Sequence, residues 1–182
     1  MIRALSTLTS EAVDSTRVTD SVTLDYDARF IRRKGLQTDG GNRILVDLAQ
    51  TMSLNEGDAL QLEDGCLITV RAAPEPLLQV TGPHLVRLAW HVGNRHTPCQ
   101  ILDDHLLIRQ DKVIATMLTH LGATLVPVQA PFVPEGGAYG HGRTHSHEHG
   151  KTLNGGDHDH GHSHGDGHAH DHGHSHSHSH DN

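Results

Sequence analysis

Residues 77–96, LLQVTGPHLVRLAWHVGNRH, change their apolar period partway along, and that change decides how the rest of the chain is read. "LLQV" is short and apolar, as a strand is. "GPHLVRLAWHV" then places Leu85, Leu88, Ala89 and Val92 on one face of a helix. Pro83 suits a first helical turn, where its missing N–H leaves no extra bond unmade. Gly93 is expected to stop the helix.

Downstream, "PCQIL" and "HLLIR" read as two strands around Asp103-Asp104. "DKVIATMLTHLG" reads as a second helix, with Asp111 as N-cap, Val113, Ile114, Met117, Leu118 and Leu121 on its apolar face, and Gly122 as its stop. "ATLVPVQ" is a last strand. The order β-α-β-β-α-β is that of the ferredoxin-like arrangement. "PFVPEGGAYGHG" beyond it has the Pro and Gly content of an exit linker.

Upstream, the signals are β. In "SVTLDYDARF", Val22, Leu24 and Tyr26 alternate as a half-buried strand requires. Gly40-Gly41 precedes a further run, "RILVDLA". "DALQLED" and "CLITVRA" flank Asp64-Gly65, a dipeptide suited to a two-residue type I′ hairpin turn. Pro74 and Pro76 punctuate the end of this block. The expected organisation is α+β. A flexible leader (1–19) precedes a small N-terminal all-β domain (20–74), a ferredoxin-like domain (75–133) and a disordered His-rich tail (134–182).

The tail reading rests on composition. Of twenty histidines, fifteen lie in residues 141–182, among Gly, Ser and Asp, with Leu153 the one large aliphatic. Such a segment cannot bury enough apolar surface to offset its ordering entropy. Its repeated His-X-His spacing lets neighbouring imidazoles close on one ion without a prebuilt cavity, which suits Zn, Cu, Ni or Fe without encoding which. The candidate ligands are His141, His145, His147, His149, His158, His160, His162, His164, His168, His170, His172, His174, His176, His178 and His180. A Gly-rich chain of that length spans on the order of 35 Å, enough to carry an ion to a fixed site. Imidazole binds when neutral, and its ordinary pKa is ~6.5, so capacity should fall as pH drops toward that value.

The other five histidines are 84, 91, 96, 105 and 120. His91 and His96 lie about 140° apart on a continuous helix and are not a chelating pair. His96, followed by Thr97-Pro98, falls at an exposed helix-to-strand junction, where functional side chains concentrate. One chain supplies it as a single ligand; a twofold dimer would supply two, facing each other across the axis. His91 could pack, orient its neighbour or ligate. His84 and His105 read as surface residues, and His120 as a last-turn partner of the helix dipole. Cys66 and Cys99 read as small buried residues, although Cys99 lies close enough in sequence to His96 for a thiolate role.

The net charge of −8 divides evenly between the tail and the first 140 residues. There is no nucleic-acid footprint. Arg29, Arg32, Arg33 and Lys34 form the one basic knot, either a solvated strand face or a docking patch for an acidic partner. The N-terminus lacks an apolar signal region, and no apolar stretch approaches bilayer-spanning length, so a soluble cytoplasmic protein without membrane contact is expected. No nucleophile, general base or oxyanion arrangement can be assembled, and the first 140 residues lack the three-ligand cluster of a catalytic zinc site. The chain does not read as an enzyme.

Three stretches resemble one family. "WHVGNRHTPCQI", "MLTHLGATLVPVQAPFVPEGGAYG" and "GDALQLEDGCLITVRAAPEPLLQV" are similar to segments of the UreE family of urease accessory proteins, nickel metallochaperones. The resemblance covers roughly residues 20–140, and GNRH and PF-PEGGAYG are its most specific motifs. It implies an N-terminal β domain that binds peptide or partner, and a ferredoxin-like domain that binds metal and forms a homodimer. It also implies that His96, the histidine after Gly-Asn-Arg, is the interface metal ligand. The implied partners are the GTP-binding urease accessory protein and the urease activation complex. Some members carry a further histidine pair at the entry to the second helix. Gln110 and Lys112 stand there in this chain, so that peripheral site is expected to be absent. The function expected is Ni(II) capture and delivery for urease assembly. The alternative is a His-rich buffer for nickel, copper or zinc with no delivery target.

Overall fold

The structure, a computed structural model, describes residues 2–136. The expected tail ligands, His141 and the fourteen from His145 to His180, lie outside the described residues.

The N-terminal half is a six-stranded sheet. Its strands are β1 (Ile2–Leu8), β2 (Val18–Leu24), β3 (Phe30–Gln37), β4 (Arg43–Ser53), β5 (Ala59–Leu62) and β6 (Leu67–Ala72), in the spatial order β2-β6-β5-β1-β4-β3. β1 runs parallel to β4, and β2 parallel to β6; the other pairs are antiparallel. Val22, Ile44, Val46, Leu60, Ile68 and Val70 form the centre of its core.

The N-terminus overturns the expectation of a flexible leader. β1 lies inside the sheet between β5 and β4, and its Ala4 is wholly buried. A short turn after it is tied back by a hydrogen bond from the Ser10 N–H to the Asp58 carboxylate (3.0 Å). Small residues at alternate positions (Ala4, Ser6) hid the strand, because its partners are distant in sequence and its own apolar content is modest.

Two local readings also change. The expected strand through Tyr26 stops at Leu24. The Asp25 carboxylate and carbonyl then accept hydrogen bonds from the Ala28 and Arg29 N–H groups, closing a turn that sends Tyr26 elsewhere. The β5–β6 hairpin is not a two-residue type I′ turn. The Leu62 N–H bonds the Cys66 carbonyl (2.9 Å), leaving three loop residues, with Gly65 alone at positive φ (+88°). A type I′ turn needs positive φ at both central residues; one αL glycine closing a three-residue loop is the next commonest solution.

The C-terminal half follows the element order read from the sequence: β7 (Pro74–Thr81), α1 (Leu85–Gly93), β8 (Cys99–Ile101), β9 (Leu106–Arg109), α2 (Lys112–His120) and β10 (Thr124–Pro131). The strands pair antiparallel in the order β10-β7-β9-β8. Pro74 and Pro76 do not precede β7 but belong to it, paired only with β10 and lying beyond the stretch that pairs with β9, where no second ladder needs their N–H. Asp111 caps α2, its carboxylate accepting from Val113 and Ile114 N–H (2.8 and 2.9 Å), and Gly122 ends it at φ +84°.

Each face of this sheet is covered differently. Leu88 and Val92 of α1 and Ile114 and Leu118 of α2 pack over Val80, Leu106 and Ile108. On the opposite face, Phe132 is fully buried on Leu77 and Leu107. The first residues of the expected exit linker are thus a strap rather than a linker. After Phe132, the Val133 N–H bonds the Gln100 side chain (2.8 Å) and the Glu135 N–H bonds the Cys99 carbonyl (2.9 Å).

The basic knot is divided by its surroundings. Arg29 is buried at the junction between the two halves, where its guanidinium donates to the carbonyls of Leu54 and Phe132. Tyr26 meets Phe132 edge to face at 5.3 Å, and Asp27 pairs with Arg109 (2.8 Å). Arg33 pairs with Asp47 across to β4, and the rest of the knot is exposed along β3, an edge strand with a bulge beside Arg32. Charge and a bulge on a sheet edge discourage unwanted strand pairing, which favours the solvated-face reading.

Candidate metal centre

Helix α1 forms because four apolar side chains share its inner face, and it ends because its last carbonyls are taken up by a tight turn. The N–H groups of Asn94, Arg95, His96 and Thr97 bond the carbonyls of Trp90, Val92, Gly93 and Val92 at 2.9, 3.1, 2.9 and 3.4 Å. The Arg95 guanidinium folds back onto the His91 carbonyl (3.1 Å), adding a charged donor at the negative end of the helix dipole.

The residue that turns the chain out of the helix is His96, at φ +53°. Gly93, expected to be the stop, is the last helical residue and has no positive φ. Among the described residues, His96 is the one non-glycine in the left-handed region. That region costs an ordinary side chain ~1–2 kcal/mol, although His is among the residues that visit it most. Strain held in place by surrounding hydrogen bonds is a feature of functional positions. The His96 side chain is exposed, with its backbone fixed and its imidazole open to a ligand.

The other histidines are placed apart from it in role. His91 is partly buried, its ring edge-on to Trp90 at 4.9 Å. His84 is the N-cap of α1 and makes no capping bond with its side chain. His105 Nδ1 lies 2.6 Å from Asp104 Oδ1, and that hydrogen bond, then the charge of His105, lowers the Asp104 carboxyl pKa. His120 ends α2, as expected from the helix dipole. Cys99 is buried, and its thiol pKa is pushed up to about 11, first by burial and then by the nearby Glu135 charge. It is a protonated core residue at neutral pH, which weighs against a thiolate role.

Among the described residues, no three His, Cys, Asp or Glu groups converge as a metal cluster. His96 is therefore one fixed imidazole without a set of companions among the described residues. A selective site for a borderline divalent ion needs more donors than that, from a second copy or from elsewhere in the chain. Along its outer face α1 presents Val86 (87% exposed) and Trp90 (62% exposed) to solvent, an apolar surface that the other described residues leave uncovered. The junction position of His96 is legible in the sequence, but its left-handed backbone is not, because glycine is the usual residue at a helix stop and Gly93 stands three residues before it.

Comparison with known proteins places both halves. Residues 1–73 match the model for the N-terminal domain of UreE urease accessory protein, and residues 75–180 match the model for its C-terminal domain. The chain is 65% identical over 126 residues to the urease accessory protein UreE of Ruegeria pomeroyi, covering 69% of this chain and 85% of that one. It is 63% identical over 126 residues to the protein of that name from a second Ruegeria species (69% and 72% covered). With that of Cereibacter sphaeroides it shares 61% identity over 123 residues (68% and 67% covered).

Proposed function

Because the chain belongs to the UreE family of urease accessory proteins, with a role in urease maturation, we propose that it is a dimeric nickel carrier. Its cargo is Ni(II), held between the His96 imidazoles of two chains. The C-terminal half is read as the ferredoxin-like domain that brings those chains together. The observation that carries this reading is His96 itself, an exposed imidazole on a strained turn whose N–H groups are hydrogen-bonded, next to a helix with an apolar face left exposed by the described residues.

The tail histidines supply capacity, and His96 supplies position. The strap gives this division a geometric basis. The Glu135 N–H bonds the Cys99 carbonyl, three residues from His96. Three residues span at most ~11 Å, and the six from Glu135 to His141 at most ~21 Å. The first tail histidine thus has enough chain to reach the turn that bears His96. Ions gathered by the tail pass to the His96 pair. They then pass by ligand exchange to the GTP-binding urease accessory protein and the urease activation complex. Cu(II) and Zn(II) compete for the same imidazoles, since affinity at such donors follows the metal rather than the site. The family's accessory role favours a carrier rather than an enzyme. No helix among the described residues is long and apolar enough to cross a membrane.

The test is calorimetric titration of Ni(II) into the full chain and its His96→Ala variant. The carrier reading expects a tight step of one ion per two chains that the variant loses while keeping the bulk of its capacity. Identical titrations would mean that the tail alone binds, and the buffer reading would replace this one.

A further inference from the structure

Gly93 has no structural requirement among the described residues. It is helical rather than left-handed, it is exposed, and a Cβ built on it meets nothing within 4 Å. A glycine inside a helix costs ~0.8–1.0 kcal/mol relative to alanine and less at its last residue, so a side chain here would leave the isolated fold at least as stable. Gly65 and Gly122 differ, because their positive φ explains them. The reason for Gly93 therefore lies outside the described residues.

Its position says where. On a helix of 3.6 residues per turn, Val86, Trp90 and Gly93 fall within an arc of about 60°. The first two are the most exposed large apolar residues of α1. The core-facing Leu88 and Val92 lie on a different side. Gly93 therefore continues an apolar stripe with bare backbone, and its carbonyl accepts the hydrogen bond from the His96 N–H. The stripe ends one turn from a lone imidazole that needs a partner.

The geometry points to Gly93 as the close-approach point between two copies of this chain. Its missing side chain lets the second α1 come near enough for the two His96 imidazoles to share one ion. This rests on the dimeric carrier reading and adds a positioning residue to it. Val86 and Trp90 supply apolar area, and Gly93 sets the separation. A second copy is the occupant because the ligand set is incomplete among the described residues of one chain, and a copy supplies both a matching stripe and the second imidazole.

The experiment uses the full chain and its Gly93→Ala and Gly93→Leu variants. Urea unfolding in the presence of a chelator reads stability, sedimentation equilibrium reads the dimer constant, and Ni(II) titration reads the step that His96→Ala removes. We expect Gly93→Ala to fold as well as the parent, with an unfolding constant per chain lowered up to about fivefold. Its dimer and its His96-dependent nickel step should both be weakened, and the leucine variant more so, by at least tenfold. Variants that dimerise and bind nickel like the parent would overturn the role of Gly93 alone. A parent chain that sediments as a monomer while binding nickel through His96 would overturn the dimeric reading and this inference with it.

Discussion

Substituting His96 by alanine and, separately, by glycine distinguishes its ligand role from its backbone role. Both variants remove the imidazole, so both should lose the His96-dependent nickel step. They differ in how they bear φ +53°. Alanine keeps the ~1–2 kcal/mol cost of the left-handed region, which glycine escapes. Glycine in turn gives the unfolded chain extra freedom, worth ~0.5–1 kcal/mol. The difference leaves His96→Gly more stable than His96→Ala by about 0.5–1 kcal/mol. The His96 ring is exposed, so His96→Ala itself should stay within ~0.5 kcal/mol of the parent. Urea unfolding at a fixed protein concentration, with chelator present so that bound metal adds nothing, reads the difference. It corresponds to a midpoint shift of a few tenths of a molar at a slope of ~1–3 kcal/mol/M. If the alanine variant proved as stable as the glycine variant or more so, the strain argument would fail, and with it the claim that the turn holds the ligand under tension.

Three further outcomes follow from buried Arg29 and Cys99. Arg29→Met removes charged donors from the carbonyls of Leu54 and Phe132 at the junction of the two halves, and should cost about 2–4 kcal/mol in urea unfolding. A cost below 0.5 kcal/mol would show that the junction does not depend on this side chain. Cys99 should resist thiol alkylation at pH 8 while Cys66, which is less buried, reacts. The folded thiol holds its proton to about 11, against an ordinary 9.0, so its stabilising contribution is complete below pH 9 and is lost as pH rises from 9 to 11. Cys99→Ala should therefore show a shallower fall in stability across that window, and equal slopes would count against the shift.

The parts of the fold that could be read directly were those whose signals are local. The α2 helix carries its own start and stop in Asp111 and Gly122, and its apolar residues repeat at helical spacing. The β5–β6 hairpin likewise has a turn glycine between two apolar runs, although the loop length was off by one residue. β1 was missed because its evidence is non-local: Ala4 and Ser6 become a strand only when β4 and β5 lie on either side. The basic knot was misleading for a similar reason. Nothing in the spacing of Arg29, Arg32, Arg33 and Lys34 shows that the first of them turns inward to bind a carbonyl more than one hundred residues away.

The candidate site divides the same way. By itself the sequence determined that histidine is massed in residues 141–182, that His96 follows a helix, and that the element order of the C-terminal half is β-α-β-β-α-β. These depend on composition and period, which survive without a partner. Only the tertiary structure decided that His96 rather than Gly93 takes the left-handed turn, and that Gly93 stays helical and bare. It alone showed the strap tying Glu135 back beside Cys99. Each of these depends on which carbonyl an N–H finds once the chain is packed, and a backbone angle is set by those bonds rather than by the residue type alone.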